Sequence, residues 1–273
     1  MSTRKPLPLP ELHRREGEGV TVWTDPGLAK RGVVVGFTER TGGVSDSPYD
    51  SLNLAGHVGD DPAAVRANRA RLLSSLNLGS DVPIHVPQQV HGVDILAVPG
   101  APEDVLVGDG LITVEPNRLL LLCFADCVPI VLVAPDGELA VLHAGWRGVI
   151  GRIAGEGVRR LTAAGSCDPP EINVYIGAHI HAGSYPVGPD LAARFIEAFG
   201  DGVIVDTGDG PRLDLDAAVG ADLRDAGVDP LRIARLGVDT ATHADRFFSY
   251  RHSGGTTGRH GAFAVRIGEP TFP

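Results

Sequence analysis

Two histidines and a cysteine, His91, Cys127 and His143, are the residues of this chain best suited to chemistry. They lie in three short segments: Pro87-Gln88-Gln89-Val90-His91-Gly92, Phe124-Ala125-Asp126-Cys127-Val128-Pro129 and Leu142-His143-Ala144-Gly145-Trp146-Arg147-Gly148. Each sets a potential ligand at the end of an expected strand, beside a Gly or Pro turn, where α/β proteins usually assemble their sites. Two imidazoles and a thiolate are donors that zinc prefers, and three protein ligands leave a fourth position open for water or substrate. The spacings are long, so plainer readings stay open. A histidine beside a glycine is usually a hydrogen-bonded loop residue, and a cysteine ending an apolar strand is usually a small buried hydrophobe.

The elements that must position these residues are legible in outline. Residues 119–124, 129–134 and 139–143 are near-continuous apolar runs, as in strands buried on both faces. Further strands are expected at 32–38, 94–98, 171–177, 231–236 and 262–267. Asp61-Pro62 reads as a helix start, with Val65, Leu72 and Leu76 on one side of that helix. Other helices are expected at 146–164, 189–199 and 214–226, each ending at a glycine. The expectation is a single compact α/β (α+β) domain over 21–273, layered, with a mixed central sheet covered by helices. The polar, Pro-rich residues 1–20 read as a flexible lead-in.

Composition narrows the function classes. The chain has 273 residues, 43% hydrophobic and 21% charged, enough for a real core. A net charge of −10 argues against sequence-independent nucleic-acid binding, which needs a basic face. It leaves room for a small anionic substrate held by a few arginines. No apolar run follows the charged N-terminus as in a secretory signal, and no stretch is apolar enough to span a bilayer. Three cysteines make no disulfide framework, so a cytoplasmic protein is expected, as a monomer.

Taken in order, Gln88-Gln89-Val90-His91-Gly92 with its Pro87, Ala125-Asp126-Cys127-Val128-Pro129-Ile130 and His143-Ala144-Gly145-Trp146-Arg147-Gly148 resemble the signature blocks of the laccase-domain, YfiH-like family associated with peptidoglycan editing. The likeness extends to Thr38–Ser45, Ser51–Leu54, Val65 with Asn68-Arg69, Gly108–Thr113, Phe247–Arg251 and Thr257–Arg259, spanning roughly residues 33 to 267. The resemblance implies that His91, Cys127 and His143 bind a metal, zinc or alternatively copper. It implies phosphorolysis of adenosine, inosine and methylthioadenosine, and deamination of adenosine, with purine nucleosides and phosphate as the partners. It also implies a role in correcting peptidoglycan precursors. The chain departs from the family pattern at Ile176-Gly177-Ala178-His179-Ile180, at Asp239-Thr240 and at His252, which puts substrate preference in question.

Deamination needs a nucleophilic water at neutral pH, which zinc supplies by lowering the pKa of water from about 15.7 to near 7. Phosphorolysis needs an anion pocket, and Arg40, Arg147, Arg251 and Arg259 are the candidates for phosphate, against the plain alternative of surface ion pairs. Cys127, His143 and Asp126 are the candidate catalytic residues. Asp126 and Asp109 could also orient a metal-bound imidazole, with turn capping equally open for Asp109. Cys123 reads as core, and Cys167 as a loop thiol. His179 and His181 form the single His-x-His, too little for a multicopper cluster. The competing readings are a hydrolase with Cys127 as nucleophile acting on aberrant peptidoglycan precursors, a copper-dependent phenol oxidase, and a metal-binding scaffold.

Overall fold

The computed structural model describes residues 6–98, 106–163 and 167–268. In chain order the elements begin with β1 (His13–Gly17), β2 (Val20–Thr24), α1 (Pro26–Ala29), β3 (Val33–Thr38) and α2 (Pro62–Ser75). Next come β4 (Ile84–His85), β5 (Ile95–Ala97), β6 (Gly110–Thr113), β7 (Leu119–Phe124), β8 (Val128–Val133) and β9 (Leu139–Ala144). Then come α3 (Trp146–Ile150), α4 (Ile153–Thr162), β10 (Asn173–Ile176) and α5 (Pro189–Phe199). A small hairpin, β11 (Ile204–Asp206) and β12 (Pro211–Leu213), leads into α6 (Leu215–Asp225), β13 (Ile233–Arg235) and β14 (His260–Arg266).

The mixed sheet read from the sequence is two sheets. One runs β1-β2-β3-β14-β7-β4 and the other β13-β10-β8-β9-β6-β5. Each is antiparallel through its middle; the first has a parallel strand at one end and the second has one at each end. Alternation along β7 shows why the apolar runs are continuous. Leu120, Leu122 and Phe124 face the other sheet, packing with Val131, Val141 and Tyr175. Leu119, Leu121 and Cys123 face outward onto α2, where they meet Leu72, Leu73 and Leu76. On the second sheet Ile130, Leu132, Ala140 and Leu142 point away from the first and pack under α4, α5 and α6. Both faces of the central strands are therefore dry, which is what an unbroken Leu/Val/Ile run encodes. The order is helix, sheet, sheet, helices.

Several expectations shift. Residues 13–17, read as part of the flexible lead-in, form β1 and pair with β2 over its whole length. Their side chains are almost all exposed, as on a charged edge strand, so no apolar alternation marks them. Residues 1–5 and 269–273 lie outside the described residues. The helix expected over 146–164 is two, because Arg152 takes a left-handed backbone (φ 60°) between α3 and α4. Its guanidinium bonds Asp225 at 2.7 Å and the Ala198 carbonyl at 2.9 Å, which anchors the break. The expected end at 164–165 lies outside the described residues. Cys167, read as a loop thiol, packs into the core beneath α4. Among the described residues no helix is long and apolar enough to cross a membrane.

Candidate metal centre and its cavity

The three expected ligands converge. The ligating atoms of His91, Cys127 and His143 all lie within 4.8 Å of one another. The histidine rings stand edge to face with centroids 4.8 Å apart. They come from three different places. His91 is in the loop between β4 and β5, Cys127 in the short crossing from β7 to β8, and His143 near the end of β9. Cys127 thus sits where the chain passes from one sheet to the other.

Asp109, just before β6, organises the histidines. Antiparallel pairing of β6 with β9 sets it beside His143, whose backbone N–H donates to its carbonyl at 2.7 Å. The His143 ring Nδ1 donates to Asp109 Oδ1, also at 2.7 Å. That bond turns Nε2 towards Cys127 and the rest of the cluster, the orientation seen in metal-bound imidazoles backed by a carboxylate. The same carboxylate accepts from the backbone N–H groups of Val90 (3.2 Å), His91 (2.9 Å) and Gly92 (2.6 Å). These bonds hold His91 in a left-handed backbone (φ 60°), a conformation that persists only where its surroundings enforce it.

Gly145, the residue before α3, must lack a side chain. A Cβ there would stand 2.6 Å from His91 Nδ1 and 3.3 Å from Cys127 Sγ. Gln89 clamps the His91 loop to β7, its amide donating to the Cys123 carbonyl and accepting from the Cys123 N–H, both at 2.9 Å. Asp126 adopts a φ of 93°, costly for a residue with a Cβ, and both of its carboxylate oxygens are occupied. They accept from the Thr240 hydroxyl and from the Arg251 N–H, each at 2.7 Å.

Electrostatics bind the cluster together. Burial opposes charge on both Cys127 and His143, but attraction and hydrogen bonding between them prevail. The thiol is pulled down, with help from His91, and the imidazole is pushed up, with help from Asp109. Burial also works against charge on Asp109, yet His143 and the Gly92 and Val90 N–H groups hold its carboxyl below the usual range. A thiolate is the form that ligates metal.

A cavity of about 430 Å³ opens over this cluster. Cys123, read as core, reaches its lining too, and burial pushes that thiol up to about 11. Arg147, Arg251 and Arg259 line the cavity beside Trp146, Tyr185 and Tyr250. The arginines stack on those rings: Arg147 over Trp146 at 4.8 Å, Arg251 over Tyr185 at 5.1 Å, Arg259 over Tyr250 at 5.7 Å. Arg40 is not brought there. Its guanidinium is spent on the Asp50 and Ala244 carbonyls and on the Phe248 ring, where it ties loops together.

Sequence reasoning passes over Gln89 and Tyr185 and takes His57 as an ordinary or supporting histidine. Gln89 stands inside a signature block and so is within reach; His57 and Tyr185 carry no local signal. Burial, then Arg259 and Arg69, hold His57 below the usual histidine range. Burial, then Cys127, raises the Tyr185 hydroxyl to about 12, which keeps it a donor.

Comparison with known proteins identifies the family. Residues 34–267 match the family described as Multi-copper polyphenol oxidoreductase laccase. The chain is 39% identical to the Deinococcus radiodurans purine nucleoside phosphorylase over 245 residues, 88% of this chain and 91% of the relative. It is 34% identical to the Escherichia coli purine nucleoside phosphorylase YfiH, covering 89% and 96% of the two chains. The crystal structure of YlmD from Geobacillus stearothermophilus superposes with a TM-score of 0.85 at 36% identity, over 95% of this chain and all of that one. The chain therefore belongs to the laccase-like family of YfiH and YlmD proteins.

Proposed function

We propose that the protein is a zinc-dependent purine nucleoside phosphorylase, acting on adenosine, inosine and methylthioadenosine, with adenosine deaminase activity. The observation that carries this reading is the shared cavity. One space holds a His-Cys-His cluster at its closed end and three arginines with three aromatic rings around the rest. Its volume falls within the range of small-molecule sites. Aromatic faces suit a purine, and guanidinium groups suit a phosphate. Relatives named purine nucleoside phosphorylase at this identity and coverage support the phosphorylase part of this reading.

The donor set fits a resident metal: three ligand atoms at mutual reach, His143 oriented through its far nitrogen, and a glycine leaving room against the ligands. Two imidazoles and a thiolate with an open fourth position are a donor set that zinc accepts in catalytic sites. A zinc ion held there would supply Lewis acidity at its open coordination position. In phosphorolysis a phosphate oxygen bonds to C1′ of the ribose as the C1′–N9 bond breaks. The purine leaves with that electron pair and takes up a proton. Arg259 and Arg251 hold the phosphate, Arg147 draws it in through solvent, His57 and the Tyr185 hydroxyl donate to bound oxygens, and the rings fix the base. Asp126, both oxygens already taken, holds the Tyr250-Arg251 loop against the Cys127 turn and acts as a positioning residue.

A second reading rests on the contact between Cys127 and the two histidines, which is also the layout of a nucleophile–base pair for hydrolysing a peptidoglycan precursor. One experiment separates them. The purified protein is assayed for metal, then incubated with adenosine with and without phosphate, alongside Cys127→Ala. The expected outcome is about one zinc per chain and phosphate-dependent release of adenine, both lost in the variant. Inosine as the sole product would reduce the reading to deamination. No purine turnover with zinc bound, or activity that survives chelation, would overturn it and leave the hydrolase.

A further inference from the structure

A second cavity, of about 250 Å³, lies behind one wall of the first. Its lining includes His179, His181, Asp214, Asp216 and Arg235. The two cavities share their partition. In the segment 179–181 the middle residue, Ile180, lines the first cavity while the flanking histidines line the second. In the segment 214–216 Leu215 lines the first, and Asp214 and Asp216 the second. Two histidines and two carboxylates therefore face one space.

His179 is 2% exposed. Its Nδ1 lies 2.9 Å from the Gly177 carbonyl, which can only accept, so Nδ1 carries the proton. Nε2 is buried, has no hydrogen-bond partner, and in the neutral ring presents a bare lone pair. Burial keeps that ring neutral, holding it below the usual histidine range. A polar atom left without a partner in the interior is costly, and the cavity is where a partner would sit. The His181 ring stands 5.0 Å away, centroid to centroid. In the His91–His143 pair the same distance is 4.8 Å. Two imidazoles on one ion, each with about 2.1 Å from nitrogen to metal, need roughly that spacing.

We propose that His179 and His181, with Asp216 as third donor, bind a divalent transition-metal ion at a site separate from the His91, Cys127 and His143 cluster. Among the described residues only that first cluster already stands as a three-donor set. At the second site Asp216 is engaged by Arg235 at 3.0 Å. Both partners of that ion pair are about a third exposed, and such solvated pairs contribute little, so Asp216 can leave Arg235 for a cation. The cost of that switch makes this the weaker of the two sites. The ion would brace the partition bearing Ile180 and Leu215, and so the wall against which the first cavity's ligand packs.

The test is zinc stoichiometry by equilibrium dialysis of the zinc-loaded protein at pH 7.5, comparing wild type with His181→Ala and Asp216→Asn. Both positions are only half-buried, and a thermal melt confirms that the variants fold. Wild type is expected to take up a second equivalent. His181→Ala weakens that second equivalent by about tenfold or more and Asp216→Asn by several-fold, with the first equivalent unchanged. Saturation at one equivalent, or a second equivalent undiminished in His181→Ala, overturns the proposal.

Discussion

The two ends of the main cavity are held in different ways. At the closed end one buried carboxylate, Asp109, bonds an imidazole and three backbone N–H groups, and the ligands it organises sit within 4.8 Å of each other. At the mouth Arg147 and Arg251 are exposed, and they hold their places by resting on aromatic rings at 4.8 and 5.1 Å. The closed end is a network in which each group is already satisfied, so removing one member strands the others. The mouth is a set of independent, weak contacts, each worth about 0.5–1 kcal/mol at exposed positions. A site built this way fixes its metal rigidly and leaves its ligand recognition adjustable. The contrast also matches where this chain departs from the family pattern, since none of the departures touches the three ligands.

Asp109→Asn probes the closed end with the largest expected effect. An amide keeps the shape but cannot accept as strongly from the imidazole and the His91 loop. Metal affinity should fall about 10- to 100-fold, the usual cost of losing the partner behind a metal-bound histidine. Competition with a chromophoric chelator measures it. Unchanged affinity would mean that the three ligands hold their geometry without Asp109, and the comparison would lose its basis.

Behind the closed end a buried histidine makes the fold sensitive to acid. This residue, His260, is stacked on Phe124, whose ring contacts His143 at 5.4 Å. Burial pushes its pKa down to about 3, against 6.5 for an ordinary histidine. Because the folded value is the lower one, the unfolded chain binds the extra proton between those two values. This contribution to stability is complete above pH 6.5 and is lost as pH falls towards 3. At pH 5 the loss from this one group is about 2 kcal/mol. Denaturant titrations at pH 7.5 and pH 5 should show it, and His260→Leu should flatten the difference. An equal pH dependence in the variant would place the acid sensitivity elsewhere.

How much of this is legible in the sequence depends on whether the cause is local. The helix starting at Asp61-Pro62 and the helix over 189–199 carry their signals in neighbouring residues, and both form where those signals place them. Leu119–Phe124 is legible to the residue, because a strand dry on both faces has no polar alternation to blur its ends. The division into two sheets is not legible, since nothing in an apolar run says which of its faces meets another sheet. The convergence of His91, Cys127 and His143 comes through motif likeness, their separations in sequence being too long for spacing to reveal. Arg40 shows the limit of the motif. Its glycine-rich loop looks like an anion cradle, but Gly42 and Gly43 serve close backbone packing, a Cβ on either standing 2.1 and 2.0 Å from carbonyl oxygens of Gly19 and Ser51. Gln89, Tyr185 and His57 act through partners distant in sequence, and only the folded chain shows them.

Arg259 belongs to both regions and separates them. It is half-buried, it is anchored through the Thr257 and Gly258 carbonyls at 2.7 and 2.9 Å, and its charge is felt at His57. Arg259→Ala should raise KM for phosphate about tenfold, in line with a charge-assisted contact worth about 1.5 kcal/mol. Saturation kinetics in phosphate at fixed adenosine reads it. A change confined to adenosine KM would move Arg259 from the phosphate to the nucleoside.

Arg147 gives the smallest and most discriminating result. It is exposed, and its guanidinium rests on the Trp146 face. A guanidinium in that position attracts phosphate through solvent, where a single charge contributes little and salt screens it. Arg147→Ala should therefore raise KM for phosphate by only about two- to threefold at low salt, and the difference should vanish as ionic strength approaches about 1 M. Arg259→Ala, acting at closer range and lower dielectric, should keep most of its effect at the same salt. If the two variants instead cost the same and share one salt dependence, the mouth is as tightly built as the closed end. Recognition would then be as fixed as the metal site, and substrate preference would have to be set by the aromatic rings rather than by the arginines.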